Sequence, residues 1–299
     1  MTAPRPSPSL RALVSGLVDY AGLCPPAWQS MPDASARYAS FLESSDAWML
    51  GRFVVPVARL DQLAVDARQF VREGAPPWKL SALVDEDEDA DARRIRSFNA
   101  RHVGRFLVDV AEVKARSAER IAQVTRALDG ELTLYVELPY EPDPRPLLDA
   151  VRHAGARAKI RTGGVTADAF PSAVQVARFV ARCAELGVPF KATAGLHHPL
   201  RGEHRLTYTA DAPTATMFGF LNVFVAGVLA RTGTGEEELI ALLEERRRTS
   251  FSFDDAGLRW RTHAVALDEI ARARAAFAIA FGSCSFREPV DELEALALL

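Results

Sequence analysis

Eight short runs of β-branched and aromatic residues, separated by stretches of helical patterning, limit what this chain can become more than any other feature. The runs fall at residues 13–19 (LVSGLVD), 52–57 (RFVVPV), 79–84 (KLSALV), 103–110 (VGRFLVDV), 132–138 (LTLYVEL), 157–161 (RAKIR), 189–194 (PFKATA) and 277–281 (FAIAF). Helical patterns lie between them, at 34–44, 60–73, 115–128, 144–154 and 171–186, with a last one at 289–298. The acidic run 85–91 suits the positive end of a helix dipole and is read as opening another. Strands that alternate with helices predict a parallel sheet and an α/β fold.

The first seven runs are evenly spaced, which favours a closed sheet over an open doubly wound one. The prediction is a (β/α)8 TIM barrel, with residues 1–299 as a single domain. A doubly wound sheet is the alternative. It is weakened because no GxGxxG follows the first run, and the GxxxxGK[ST] phosphate loop is absent as well. About eighty residues separate the seventh and eighth runs, too many for one βα unit. Residues 200–262 are therefore read as a helical insertion or elaboration between strands seven and eight. It would be either a surface addition or a lid over the site.

Composition excludes several function classes. A net charge of −3 and a pI near 6.1 give no electrostatic reason to expect nucleic acid or an anionic membrane as partner. Cys24, Cys183 and Cys284 are odd in number, widely spaced and form no CxxC pair, so neither a disulfide framework nor a cysteine zinc site is expected. The apolar stretch 218–230 (FGFLNVFVAGVLA) is too short to span a bilayer and reads as a buried helix. The N-terminal MTAPRPSPSL lacks the apolar core of a signal peptide, which predicts a cytoplasmic protein. A homo-oligomer is compatible with all of this.

Chemistry in such a barrel belongs at the C-terminal ends of the strands. Strand six ends Lys159-Ile160-Arg161-Thr162-Gly163-Gly164, strand seven continues Lys191-Ala192-Thr193-Ala194-Gly195-Leu196-His197-His198, and strand eight ends Phe281-Gly282-Ser283-Cys284-Ser285. Only four of the 36 basic residues are lysines, and two of those stand at matched positions in strands six and seven. Arginine stays protonated, whereas a buried lysine can lose its proton and attack a carbonyl. Strand alternation allows Lys159 and Lys191 to point inward together, where a second ammonium nearby and desolvation would lower the pKa of one of them. The plain alternative is that each pairs with a carboxylate such as Asp109 or Glu137 and only ties strands together. Gly163, Gly164, Gly195 and Gly282 expose backbone N–H groups, and Ser283 and Ser285 add hydroxyls. Together they suit binding of phosphate or another anion.

KIRTGGV, then FKATAGL 32 residues later as counted from lysine to lysine, then FGSCS near the C-terminus, resembles deoxyribose-phosphate aldolase. The likeness covers residues 159–196 and the last twenty. It implies a class I aldolase barrel with Lys159 as the Schiff-base residue, Lys191 as the partner that lowers its pKa, and Ser283 and Ser285 near a phosphate. Asp19 matches an early aspartate of that family. The pattern departs at Ile160-Arg161, which replaces a small polar pair, at Ala194-Gly195, which replaces Gly-Gly, and at His197 and His198, which have no counterpart. These departures imply a substrate other than deoxyribose phosphate. The segments DYAGLCPPA, AWMLGRFVVP and KATAGLHHP also resemble those of an uncharacterised bacterial protein group, which implies no activity.

The expectation is a lyase in which Lys159 forms an imine with a small, anionic carbonyl substrate. Glu137 or Asp109 would shuttle protons, and Asp19, Arg161, Thr162, His197, His198 and the glycine and serine residues would bind the substrate. It requires no cofactor and no resident metal. Two alternatives stay open. One is a metal-dependent lyase or hydrolase built on Glu137, His197 and Asp109. The other is a non-catalytic barrel that binds a small anion, or a partner through the apolar helix 218–230. Tyr20 is read as a second substrate contact beside Asp19. Cys24 is read as a small packed residue, and Cys284 as a cysteine of the anion loop.

Overall fold

The computed structural model describes residues 6–299 apart from 129 and 131. Residues 1–5, the start of the segment read as lacking a signal peptide, lie outside the described residues. In chain order the chain forms α1 (Pro8–Val14), β1 (Val18–Tyr20), α2 (Met31–Leu42), β2 (Leu50–Pro56), α3 (Leu60–Asp66), β3 (Trp78–Leu83), α4 (Glu88–Arg101), β4 (Phe106–Lys114), α5 (Ala118–Ala127), β5 (Thr133–Glu137), α6 (Arg145–His153), β6 (Arg157–Arg161), α7 (Ala173–Leu186) and β7 (Phe190–Thr193). Next come the hairpin β8 (Gly202–Arg205) and β9 (Thr214–Met217), helices α8 (Phe220–Arg231) and α9 (Glu236–Leu243), and strands β10 (Phe251–Phe253), β11 (Gly257–Trp260) and β12 (His263–Ala266). The chain closes with α10 (Leu267–Ala276), β13 (Ala278–Ser283) and α11 (Arg287–Ala295).

Strands β1 to β7 and β13 form one closed parallel barrel, with β13 seated between β7 and β1. The (β/α)8 TIM barrel is therefore the fold, and β13 is the eighth barrel strand. The outward faces of β6 and β7 show why both lysines end up inside. Phe190 packs on Phe179 of α7 and Phe224 of α8, with ring centroids 6.4 and 6.3 Å apart. Ala158, Ile160 and Ala192 are also buried against the helix layer. With these residues facing the helices, strand alternation turns Lys159 and Lys191 into the barrel.

Two strand boundaries differ from expectation in ways that matter. The first strand was expected at 13–19, but residues 8–14 form helix α1. Ser7 caps it by accepting from the Leu10 N–H, and Pro8 opens it. Leu10, Leu13 and Val14 follow a helical spacing, and the shift leaves β1 only Val18–Tyr20. Strand four was expected at 103–110 but runs Phe106–Lys114, because Gly104, at φ +75°, takes the preceding turn. The strand thus ends four residues later than expected and carries Glu112 into the barrel.

The segment 200–262 holds the hairpin β8–β9, helices α8 and α9, and strands β10 and β11. Every residue from Phe220 to Ala230 is buried, as befits a helix that is apolar all round. It is enclosed by α7, α9, α10 and β13, where each buried Phe, Leu or Val contributes roughly 1.5–3 kcal/mol. This corrects the expectation that the apolar helix could present a docking face, because that face is already spent on the core. The sheet β10–β11–β12 packs on α1 and α10. From α10, the buried Arg274 reaches the carbonyls of Leu13 at 2.6 Å, Ile279 at 2.6 Å and Ser15 at 3.1 Å. No helix among the described residues is long and apolar enough to cross a membrane.

Candidate active site

A cavity of about 680 Å³ opens at the C-terminal ends of the barrel strands. Lys159 and Glu112 line its floor, Gly163, Gly164 and Gly195 one wall, and the β8–β9 hairpin, with His204, Leu206, Tyr208 and Met217, its roof. The hairpin belongs to the long segment between strands seven and eight, so this part of the segment covers the site as a lid would.

Register sets the charges beneath the cavity. Glu137 pairs with Lys159 across β5 and β6, and Lys159 with Lys191 across β6 and β7. Glu112 of β4 and Asp19 of β1 complete a row of alternating charges. Asp19 Oδ2 accepts from Lys191 Nζ at 2.6 Å, and Lys191 Nζ also donates to Glu112 Oε1 at 2.6 Å. Glu112 Oε2 lies 2.7 Å from Lys159 Nζ, Lys159 Nζ 2.9 Å from Glu137 Oε2, and Arg161 Nε donates to Glu137 Oε1 at 3.0 Å. Ser81 Oγ donates to Glu112 Oε1 at 2.6 Å, and the Arg52 backbone N–H donates to Asp19 Oδ1 at 2.7 Å. Three cations face three carboxylates, with the partly exposed Arg161 at one end, so the row as a whole is neutral, which offsets much of the cost of desolvating it.

The two lysines are not equivalent. Lys159 borders the cavity and Lys191 does not. Lys191 is 1% exposed, with the Tyr135 ring 5.4 Å from its Nζ. Although Lys159 Nζ is only 2.9 Å away, Glu137 Oε2 is a buried oxygen with no aligned hydrogen-bond donor. That oxygen lies next to the amine, although Glu137 itself does not border the cavity.

Burial disfavours the charged form of Lys159, but Glu112 and Glu137 outweigh it and hold its pKa above the ordinary 10.5. Lys191 is raised in the same way, burial being overcome by Asp19 and Glu112. This corrects the expectation that Lys191 leaves Lys159 with a lowered pKa. Lys191 does push it down, but the carboxylates push harder. Burial likewise opposes ionisation of Glu112 and Glu137. The lysines, with Arg161 at Glu137, hold both carboxyls below the usual 4.5.

The other expected site residues separate into two groups. Arg161, Gly163, Gly164, Gly195, His197, His198 and Gly282 line the cavity. Asp109, Thr162, Ser283 and Ser285 do not. Asp109 lies nearer the start of β4, in a two-pronged ion pair with Arg52 at 2.7 Å, and so cannot shuttle protons at Lys159. Thr162 Oγ1 donates to the Ala194 carbonyl at 2.7 Å and ties the two glycine-rich loops together. The serines also turn inward. Ser283 Oγ accepts from the Ser285 N–H at 3.3 Å, and Ser285 Oγ accepts from the Glu288 N–H at 3.2 Å, capping the first turn of α11. Neither serine borders the cavity. Tyr20 is buried and donates to Gln29 Oε1 at 2.7 Å, beside Tyr38, Phe41 and Phe53. It is a core residue rather than a substrate contact.

Glu137, His197 and Asp109, the metal set weighed from sequence, are held apart by three different partners: Lys159 with Arg161, Glu288, and Arg52. No three His, Cys, Asp or Glu side chains among the described residues are disposed to hold a metal ion.

Sequence reasoning missed Glu112, Cys24, Tyr208 and Glu288, all of which border the cavity. A signal for Glu112 existed. In VDVAEVK the apolar alternation continues past Val110 and carries a glutamate in the next inward position. No local signal marked Glu288 or Tyr208, which reach the cavity from a helix and a hairpin. The chain matches no family model and no curated protein.

Proposed function

We propose that this chain is a class I aldolase-like lyase, in which Lys159 forms an imine with a small, anionic carbonyl substrate. The observation that carries the reading is the floor of the cavity. One of two buried lysines reaches the open space, between two carboxylates, and one carboxylate oxygen beside it has no aligned donor. The resemblance of KIRTGGV, FKATAGL and FGSCS to deoxyribose-phosphate aldolase supports the same assignment.

In this reading the Lys159 proton passes to Glu137 Oε2, 2.9 Å away. The neutral amine adds to the substrate carbonyl, and loss of water leaves a protonated imine. The imine draws electrons from the bond one carbon away, so that bond can break or form. Glu112 and Glu137 return and remove protons at the nitrogen and the adjacent oxygen. Lys191 touches no substrate. It holds Glu112 in place and keeps the row neutral. Arg161 and Arg205 border the same cavity and supply positive charge for an anionic group.

The test is intact-mass analysis after sodium borohydride treatment with aldehydes, ketones and 2-oxo acids. The expected result is one stable adduct that maps to Lys159 and is lost in Lys159→Met. Besides Lys191, the only other lysines are Lys79 and Lys114, both exposed, so mapping is unambiguous. No adduct across the panel, or an adduct only on an exposed lysine, overturns the reading.

A further inference from the structure

The wall of the cavity formed by the β7 and β13 ends carries a second group of reactive side chains, which the lysine chemistry does not use. Cys284, His197, Glu288 and Tyr208 all border the same open space as Lys159. His197 Nδ1 is 2.9 Å from Glu288 Oε2, and His197 Nε2 is 4.0 Å from Cys284 Sγ. The carboxylate fixes the ring. With Nδ1–H donated to Glu288, Nε2 is the ring nitrogen on the side of the thiol and the one that holds the proton shared with sulfur. Tyr208 Oη donates to Glu288 Oε2 at 3.2 Å and lies 3.4 Å from Cys284 Sγ, closing the arrangement from the hairpin. Nucleophile, base and orienting carboxylate thus stand in the order that activates a cysteine.

Cys24 also borders the cavity but has no such partner. It is more exposed than Cys284, and burial is the main cause that pushes its thiol up. At His197, burial opposes the charge, but the hydrogen bonds that the ring donates to Cys284 and Glu288 outweigh it and raise the pKa to about 10. The ring is thus well suited to hold a proton taken from sulfur.

We propose that Cys284, with His197 as its base and Glu288 orienting the ring, is a second nucleophilic centre of this cavity, and that it captures aldehydes as reversible thiohemiacetals. With the proton of the Cys284–His197 pair held on His197 Nε2, the sulfur bonds to the aldehyde carbon. The carbonyl π pair moves to oxygen, which takes the proton back from His197. No group leaves and no oxidant is needed. The proposal extends beyond the imine reading and does not depend on it.

The first test uses the unmodified protein, labelled with iodoacetamide near neutral pH and mapped by peptide mass. Accessibility alone ranks Cys24 ahead of Cys284. The proposal predicts the reverse, with Cys284 labelled about tenfold faster or more, and a drop of similar size at Cys284 in His197→Gln. The second test uses Lys159→Arg, which keeps a cation beside Glu112 and Glu137 but cannot form an imine. There, millimolar propionaldehyde should slow labelling of Cys284 several-fold. Equal or faster labelling of Cys24 overturns the activation of Cys284, and absence of protection overturns the aldehyde assignment. Neither result bears on borohydride trapping at Lys159, so the two readings fail separately.

Discussion

Lys159 and Glu112 meet inside the barrel from strands β6 and β4, with Nζ and Oε2 2.7 Å apart. Since the other oxygen of Glu112 serves Lys191 at 2.6 Å, one carboxylate holds both lysines.

Glu112→Gln should therefore be far more damaging than its small change in shape. It leaves two buried ammonium groups with one full negative partner each. Removing one member of a buried ion network costs about 3–5 kcal/mol. Urea denaturation should show a loss of that order, and imine trapping should fall sharply. Asp109→Ala, which breaks only the partly exposed pair with Arg52, should leave trapping within about twofold of wild type and cost about 1 kcal/mol or less. Equal effects of the two substitutions on trapping would contradict the assignment of the floor to Glu112.

Stability should depend on pH on both sides of neutrality, for different residues. Glu112 and Glu137 titrate below 4.5 in the folded protein. Their contribution is present above 4.5 and is lost as the pH falls below it. His197 is raised from 6.5 to about 10, so its contribution is complete below 6.5 and is lost as the pH rises toward about 10. Lys159 and Lys191 are raised above 10.5 and lose theirs only beyond that. Thermal midpoints of His197→Gln should lack most of the wild-type decline between neutrality and about pH 10. An unchanged slope would show that His197 does not carry that decline.

The glycine wall offers a test of geometry. Gly195 has φ +71°, and a methyl group there would lie 2.9 Å from the Gly163 Cα. Gly195→Ala must both strain its own backbone and separate the loops that follow β6 and β7. A stability loss of about 2 kcal/mol is expected, with slower imine trapping because the wall beside Lys159 moves. Gly235→Ala, where an added methyl meets nothing within 4 Å, should change neither measurement.

Asn222 provides a stability control away from the cavity. It is fully buried in α8. Its amide donates to the carbonyls of Leu242 and Glu245 at 2.8 Å each and accepts from the Arg201 N–H at 3.0 Å. Asn222→Leu removes all three bonds, at about 1–3 kcal/mol for each polar group left buried and unpaired. The melting temperature should fall by several degrees, while imine trapping well below the transition stays at the wild-type rate. Loss of trapping in a folded Asn222→Leu protein would show that the packing of α8 controls the site.

The alternation of strand and helix was legible in the sequence because the two periodicities leave different apolar patterns, and the even spacing of seven runs pointed to closure. Lys159 and Lys191 could be picked out by residue type, since few lysines occur in an arginine-rich chain. Their inward direction needed the helix layer, where Phe190 and Ile160 claim the outer face. The end of β4 was misread because Gly104 makes a turn where the sequence continues as a strand, and the shift hid Glu112. The short β1 was misread because α1 has helical spacing over only seven residues. The net charge state of Lys159 could not be read locally, because it depends on carboxylates from β4 and β5 that only barrel closure brings together. For the same reason Cys284 could be read only as part of an anion loop: His197 and Glu288 reach it from the β7 end and from α11, and tertiary structure alone joins them. Local sequence thus determined which elements form and which residue types lie near the strand ends, while the closing of the barrel decided which charges meet and which side chains face open space.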